Sequence, residues 1–233
     1  MTDPLNAKGR TFSWSYSADA DYRNCPFQYA HKRFYCTIEF QETEAIIWGN
    51  RVHKAAELAL KSMPHNDPEA FTPVEKYVDL MLRSGYTPHA ELEIALTRGL
   101  KVTKWFAKDA WLRCKVDVTL LDFKRTEAKI FDFKTGKTIK DDEDQLRLSG
   151  AALSVMFPTI EKFEGKYIWT KHQQVTGIRP FTKAEVPAIW QDFLARAARM
   201  ENAWATESFP QKPNGLCRKW CPVTVCPHCG GGR

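Results

Sequence analysis

The chain has 233 residues, 43% of them hydrophobic, enough for one large domain or two small ones with a real core, which excludes gross disorder. Its net charge is +6 and its pI is near 8.9, a mild lean toward an anionic partner such as nucleic acid. No apolar run approaches the ~20 residues of a membrane span, and the opening "MTDPLNAKGR" has no apolar signal-peptide region, so a cytoplasmic protein with no membrane partner is expected.

In chain order, "SWSYSADADYRNCPFQYAHKRFYC" reads as helical from Ala18, with Ser17 as its N-cap. A second helix covers 45–62 and is stopped by Pro64. A third, "PVEKYVDLMLRSG", is opened by Pro73 and closed by Gly85, with Val74, Tyr77, Val78, Met81 and Leu82 at helical spacing. The period then changes to that of strands in "AELEIALT", "AWLRCKVDVTLLDF" and "AKIFDFKTG". The last two are separated only by "KRTE", which predicts an antiparallel hairpin. A helix follows over 141–157, begun by the acidic "DDED". One or two strands in "FEGKYIWTKHQQVTGIRPF", a long helix from Thr182 to Glu207 and a loop-like tail complete the chain. The order predicts a single α/β domain with a cysteine-rich C-terminal cap.

The hairpin carries the chemistry. Residues two apart on a strand share a face, so Asp132 and Lys134 point one way, while Phe131 and Phe133 point the other way into a core. A turn at "KRTE" can bring Asp117 onto the face of Asp132. Two close carboxylates repel each other in a partly dry site. A divalent cation such as Mg²⁺ or Mn²⁺ relieves that repulsion, and a lysine beside it can place a water or a phosphate. The other reading of Asp-x-Lys is an ion pair at a strand end. Arg113, Lys115, Lys137, Lys140 and Arg147 surround these positions as phosphate contacts or as a solvated basic face, and Trp48 and Trp105 are stacking candidates or core residues.

Seven cysteines are present, and Cys217, Cys221, Cys226 and Cys229 fall within one short tail segment. In a cytosolic chain such a cluster reads as a metal site rather than a disulfide framework. Four local thiolates suit tetrahedral Zn²⁺, and a [4Fe–4S] cluster also takes four.

Asp117, followed by Asp132-Phe133-Lys134 and Thr135-Gly136, resembles the signature of the PD-(D/E)XK nuclease superfamily, in the form typical of its RecB-like branch. Gly49 and His53 in "WGNRVHKAAE" resemble the family's Gly-x-x-x-His motif, and Gln145 in "QLRLSGAAL" its glutamine motif. Ser149 stands where the family usually has an aromatic residue. Cys25-Pro26 with the C-terminal cysteines resembles the family's iron–sulfur subset, which includes phage-encoded RecB-like exonucleases and the Cas-four nucleases of CRISPR adaptation.

The resemblance implies a restriction-endonuclease-like core, a central mixed β-sheet flanked by helices. The whole chain, 1–233, would form one nuclease domain, with a helical segment at 13–45 carrying Cys25, a core at 46–205 and the cysteine cluster at 206–233. It implies metal ligation by His53, Asp117 and Asp132, placement of water by Lys134, and orientation of phosphate or lysine by Gln145. An upstream glutamate near the metal is assigned to Glu93, with Glu91 two residues away as the alternative. Cys25, Cys217, Cys221 and Cys226 would hold a [4Fe–4S] cluster, with Zn²⁺ at the C-terminal cysteines as the alternative. The implied activity is metal-dependent hydrolysis of DNA, single-stranded or with free ends, in recombination, replication, repair or CRISPR adaptation of a bacterial or phage-infected cell. No helicase motif is present, so unwinding would fall to a partner. The alternative is a non-catalytic DNA-binding or adaptor protein with a structural zinc ribbon.

Overall fold

The computed structural model describes residues 5–140 and 142–230. Asp141, at the expected start of the helix over 141–157, and the first four residues of "MTDPLNAKGR" lie outside the described residues. The chain packs as two compact units, one of residues 42–191 and one of the described residues in 1–41 and 192–233.

The larger unit is built on a mixed sheet. Its strands are β1 (Thr87–Leu96), β2 (Val102–Thr103), β3 (Leu112–Leu121), β4 (Glu127–Lys134), β5 (Lys162–Trp169), β6 (Gln174–Gly177) and β7 (Phe181–Thr182). Their order is β2-β1-β3-β4-β5-β6, with β7 also paired to β5. The expected hairpin is present: β3 and β4 run antiparallel in the register Val118↔Phe131. Arg125 in its turn takes the left-handed conformation, φ 55°. β4 and β5 are parallel, so a crossover must join them, and helix α6 (Asp144–Met156) supplies it. The region after α6, expected to hold one or two strands, holds three, because β6 and β7 are short pieces paired to the same strand.

Helices cover both faces. On one face α3 (Glu44–Leu60) and α5 (Glu75–Leu82) pack Val52, Ala55, Ala56, Val78 and Met81 against Val118, Leu120, Phe133 and Ile168. The capping residue of α3 is Thr43, whose side chain accepts from the Ile46 N–H. The short helix α4 (Pro68–Phe71), with no counterpart in the sequence reading, has Asp67 as N-cap, and Arg51 of α3 grips the same carboxylate at 2.7 Å. On the opposite face α6 lies close to the sheet through small residues. A Cβ on Gly150 would sit 2.5 Å from Phe181 Cζ and 3.3 Å from Ile130 and Phe163.

The smaller unit corrects one expectation. The predicted helix from Ala18 is two helices, α1 (Tyr16–Asn24) and α2 (Pro26–Arg33), broken at Cys25. Proline bars the preceding residue from helical backbone, and Cys25 is extended at φ −160°. The N-cap of α1 is Ser15 rather than Ser17; its side chain accepts from the Ala18 N–H. In the long helix α7 (Val186–Ala205), residues from 192 onward belong to this unit. Its buried Asp19 pairs with Arg23 at 2.9 Å and Arg196 at 3.4 Å, tying α1 to α7. Tyr29, Phe34, Trp204 and Phe209 form its aromatic core, where the Trp204 indole N–H donates to the Tyr29 hydroxyl at 2.9 Å. Among the described residues no helix is long and apolar enough to cross a membrane.

The close seat of α6 is testable. Replacing a helix glycine with valine gains a few tenths of a kcal/mol or more of helix propensity. Here the added carbons meet Phe181, whose ring is held stacked on Phe163 with centroids 4.9 Å apart. Overpacking wins, and Gly150→Val should lose about 2–3 kcal/mol in urea unfolding; unchanged stability would show that the helix is free to back away.

Candidate metal centre and cleft

An open cleft is lined by one face of α3, with Gly49, His53 and Glu57 one turn apart, and by Glu91, Lys115, Asp117 and Thr135 from the sheet side. A Cβ on Gly49 would stand 3.1 Å from Thr135 Oγ1, so its absence lets the helix approach the end of β4.

The backbone of Phe133 ties two elements together. Its N–H donates to Asp117 Oδ2 at 2.8 Å, and its carbonyl lies 3.0 Å from His53 Nε2. A carbonyl only accepts, so Nε2 carries the hydrogen, and Nδ1 faces the carboxylates, 3.3 Å from Asp117 Oδ2 and 3.8 Å from Glu91 Oε1. These three side chains each offer one atom within 4.8 Å of the others and could hold a metal ion. Burial resists charge on His53. The hydrogen bond to Asp117, with Glu91 and Asp132 nearby, outweighs it and raises the pKa to about 10.

Glu91, rather than Glu93, stands in this cluster, because the register with β3 sets Glu91 across from Asp117. Glu91 lies in β1 between the pairs Ala90↔Val118 and Leu92↔Val116, opposite Asp117. Its φ is 54°, a left-handed value that is strained for a residue with a side chain. Glu93 is exposed and paired opposite Lys115.

Asp132 stands apart from the three-residue cluster, in a second constellation next to it. Its side chain is buried; Oδ1 accepts from Gln145 Nε2 at 2.5 Å, and Lys134 Nζ lies 2.6 Å from Oδ2. The ammonium and this carboxylate form a close ion pair. Lys134 Nζ also donates to Gln145 Oε1 at 2.7 Å. Gln145 thus orients the lysine and the carboxylate together. Burial, then the charge of Asp117, raises the Asp132 pKa to about 7 against the pull of Lys134 and His53. Ser149, where an aromatic residue was expected, is buried, donates to the Gln145 carbonyl at 2.9 Å and sits beside Cys114.

The basic residues near the motifs are partly committed. Lys115 pairs with Glu91, Arg147 with Glu143, and Arg113 donates to the Trp105 carbonyl. Trp48 packs against the core beside α3, and Arg51 stands over its ring. Glu57, which the sequence reading did not single out, lines the cleft; its spacing of one turn from His53 was the available signal.

In the smaller unit, Cys25, Cys217, Cys221 and Cys226 line a single pocket together with Asn24, Gln28 and Asn214. Cys229 is not in its lining; its thiol donates to the Cys221 carbonyl. Among the described residues no three cysteine sulfurs lie within 4.8 Å of one another.

The sequence model of the PD-(D/E)XK nuclease superfamily matches residues 13–227. Among solved structures, the chain is similar to a candidate exonuclease from Eubacterium rectale, at 14% identity over 95% of this chain and 88% of that one, with a TM-score of 0.53, a likeness of fold. It also aligns with the crystal structure of SSO0001, at 12% identity over 92% of this chain and 85% of that one, with a TM-score of 0.42. The comparison with curated proteins found no match.

A metal ion entering between His53, Glu91 and Asp117 must displace the proton that the same carboxylates stabilise on His53. Because that pKa is raised, the proton is held at neutral pH. Mn²⁺ affinity, measured by calorimetry, should fall by up to about tenfold per unit as pH drops from ~9 to ~6. His53→Gln should bind more weakly and flatten that slope; an unchanged slope would place the released proton elsewhere.

Proposed function

The chain belongs to the PD-(D/E)XK nuclease superfamily, and we propose that it is a metal-dependent deoxyribonuclease of the RecB-like branch that hydrolyses phosphodiester bonds from DNA ends. The observation that carries this reading is the meeting of two constellations at the end of the β3–β4 hairpin. One is His53, Glu91 and Asp117; the other is Asp132, Lys134 and Gln145. The neighbour from Eubacterium rectale bears the description of a candidate exonuclease, in keeping with action at ends.

The donor set of one imidazole and hard carboxylate oxygens fits Mg²⁺ or Mn²⁺, with the nitrogen favouring Mn²⁺. His53, Glu91 and Asp117 would hold the ion, and Asp132 Oδ2, now paired with Lys134, is the neighbouring oxygen that could join it. A bound ion supplies Lewis-acid polarisation of the phosphoryl group. His53 keeps its Nε2 proton on the Phe133 carbonyl and presents Nδ1. Lys134 directs its ammonium with two contacts, to Gln145 and Asp132, and keeps a third N–H for the attacking water or a phosphate oxygen. Lys137 and Lys140, exposed beyond β4, suit backbone phosphates. The substrate is DNA with free ends or single-stranded, and a recombination or helicase partner would supply unwinding.

Asp117→Ala and Lys134→Ala should each reduce cleavage of end-labelled DNA by at least ~10²-fold without lowering the melting temperature by more than a few degrees. Chelation of divalent metal should stop the reaction. Both variants cutting like the parent would sink the nuclease reading.

We read the cysteine pocket as the site of a structural [4Fe–4S] cluster held by Cys25, Cys217, Cys221 and Cys226. The lining of one pocket by these four supports it. A link from Cys25 to the tail closes a loop of nearly the whole chain, worth on the order of 5 kcal/mol by chain entropy. Cys25→Ala, purified without oxygen, should lose a broad absorbance near ~400 nm and unfold at lower temperature, while Cys229→Ala keeps both. A colourless parent holding one zinc would reverse the assignment.

A further inference from the structure

Two carboxylates of the cleft, Glu91 and Glu57, pair with lysine. Glu91 divides its two oxygens: Oε1 faces His53 Nδ1 at 3.8 Å, and Oε2 pairs with Lys115 Nζ. Glu57, on the same helix face as His53, takes Lys54 at 2.8 Å and Lys61 at 2.6 Å. Lys115 lies two residues before Asp117 on β3 and lines the cleft beside both. The hydrogen bond to Glu91 favours its charged form, the Glu93 and Glu57 charges add to this, and burial opposes it.

A carboxylate that gives one oxygen to each of two cations is the bridging element of two-metal hydrolytic centres, where the cations stand about 3.5–4 Å apart. Glu91 has that arrangement, with one of its cations already built into the chain. We propose that the Lys115 ammonium occupies the second-cation position of this centre, so that the protein takes a single divalent ion and supplies the other positive charge itself. This rests on the metal site proposed above at His53, Glu91 and Asp117. The arrangement places a fixed positive charge beside the ion, in the cleft where a phosphodiester would lie. Lys115 is a positioning residue here. Its side chain is 49% exposed, so its removal opens no cavity in the core.

The prediction is a change in metal count. Without Lys115, Glu91 Oε2 is left as an uncompensated acceptor beside Glu93 and the bound ion, and a second divalent cation should enter. Mn²⁺ binding would be followed by electron paramagnetic resonance on the full chain, counting free ion and recording the bound spectrum. The parent and Lys115→Arg should bind one Mn²⁺ per chain with an isolated-ion spectrum. Lys115→Ala and Lys115→Met, the latter retaining the apolar stem, should bind two, with the spin coupling of a close pair. Two ions on the parent, or one ion on folded Lys115→Ala and Lys115→Met, would overturn the inference. No binding by the parent would overturn the metal site itself and this inference with it, whereas a parent ion lost in His53→Ala upholds the site and leaves the stoichiometry to decide the role of Lys115.

Discussion

The peptide of Phe133 is the point on which the site depends. Its N–H holds Asp117 from β3, its carbonyl holds His53 from α3, and its side chain is buried in the core between that helix and the sheet. A hydrogen bond to a charged group contributes more than a neutral one. The larger effect is directional, because the two bonds aim an imidazole nitrogen and a carboxylate at one place. The closeness of α3 that this requires is eased by Gly49, since a Cβ there would stand 3.1 Å from the Thr135 hydroxyl. One strand residue thus couples core packing to the chemistry, and a shift of the helix would be felt at the donor atoms.

Around that clamp the chain concentrates charge where charge is costly. Asp132 is buried beside Asp117, and its raised pKa records how strongly burial and repulsion disfavour a second anion. Lys134 and Gln145 offset part of this cost. Glu91 adds backbone strain at a left-handed φ to the same small region. Such an arrangement is stable only where the surroundings over-determine it, and here the parallel β4–β5 pair, α6 and the packed layer under α3 do so. A cation among these carboxylates would relieve that repulsion.

The smaller unit uses a different device. Pro26 keeps Cys25 out of helical backbone, so one continuous stretch of helix-forming sequence becomes two helices with the cysteine at their junction. That break brings a thiol from the first part of the chain into the same pocket as three from the tail. The buried Asp19 with Arg23 and Arg196, and the Tyr29–Trp204 hydrogen bond, hold this unit independently of the cysteines.

Much of this was legible in the sequence because it is local. Alternation over two residues puts Asp132 and Lys134 on one face and Phe131 and Phe133 on the other, a short polar turn sets the hairpin, and the Gly49–His53 and Gln145 spacings are helical turns. The mixed sheet with flanking helices followed from the resemblance that those residues carry. The choice between Glu91 and Glu93 was not legible. It turns on the register with β3, which sets Glu91 across from Asp117 and Glu93 further along, opposite Lys115. Nor could spacing reveal that Lys115 pairs with Glu91, that Asp132 is bound to Gln145 rather than grouped with His53, or that Ser149 is pressed against Cys114 where a larger ring was expected. Sequence determined which residues are candidates for chemistry, since that depends on side-chain type and short-range period. Tertiary structure decided which of them meet, since that depends on the register of strands and the approach of helices distant along the chain.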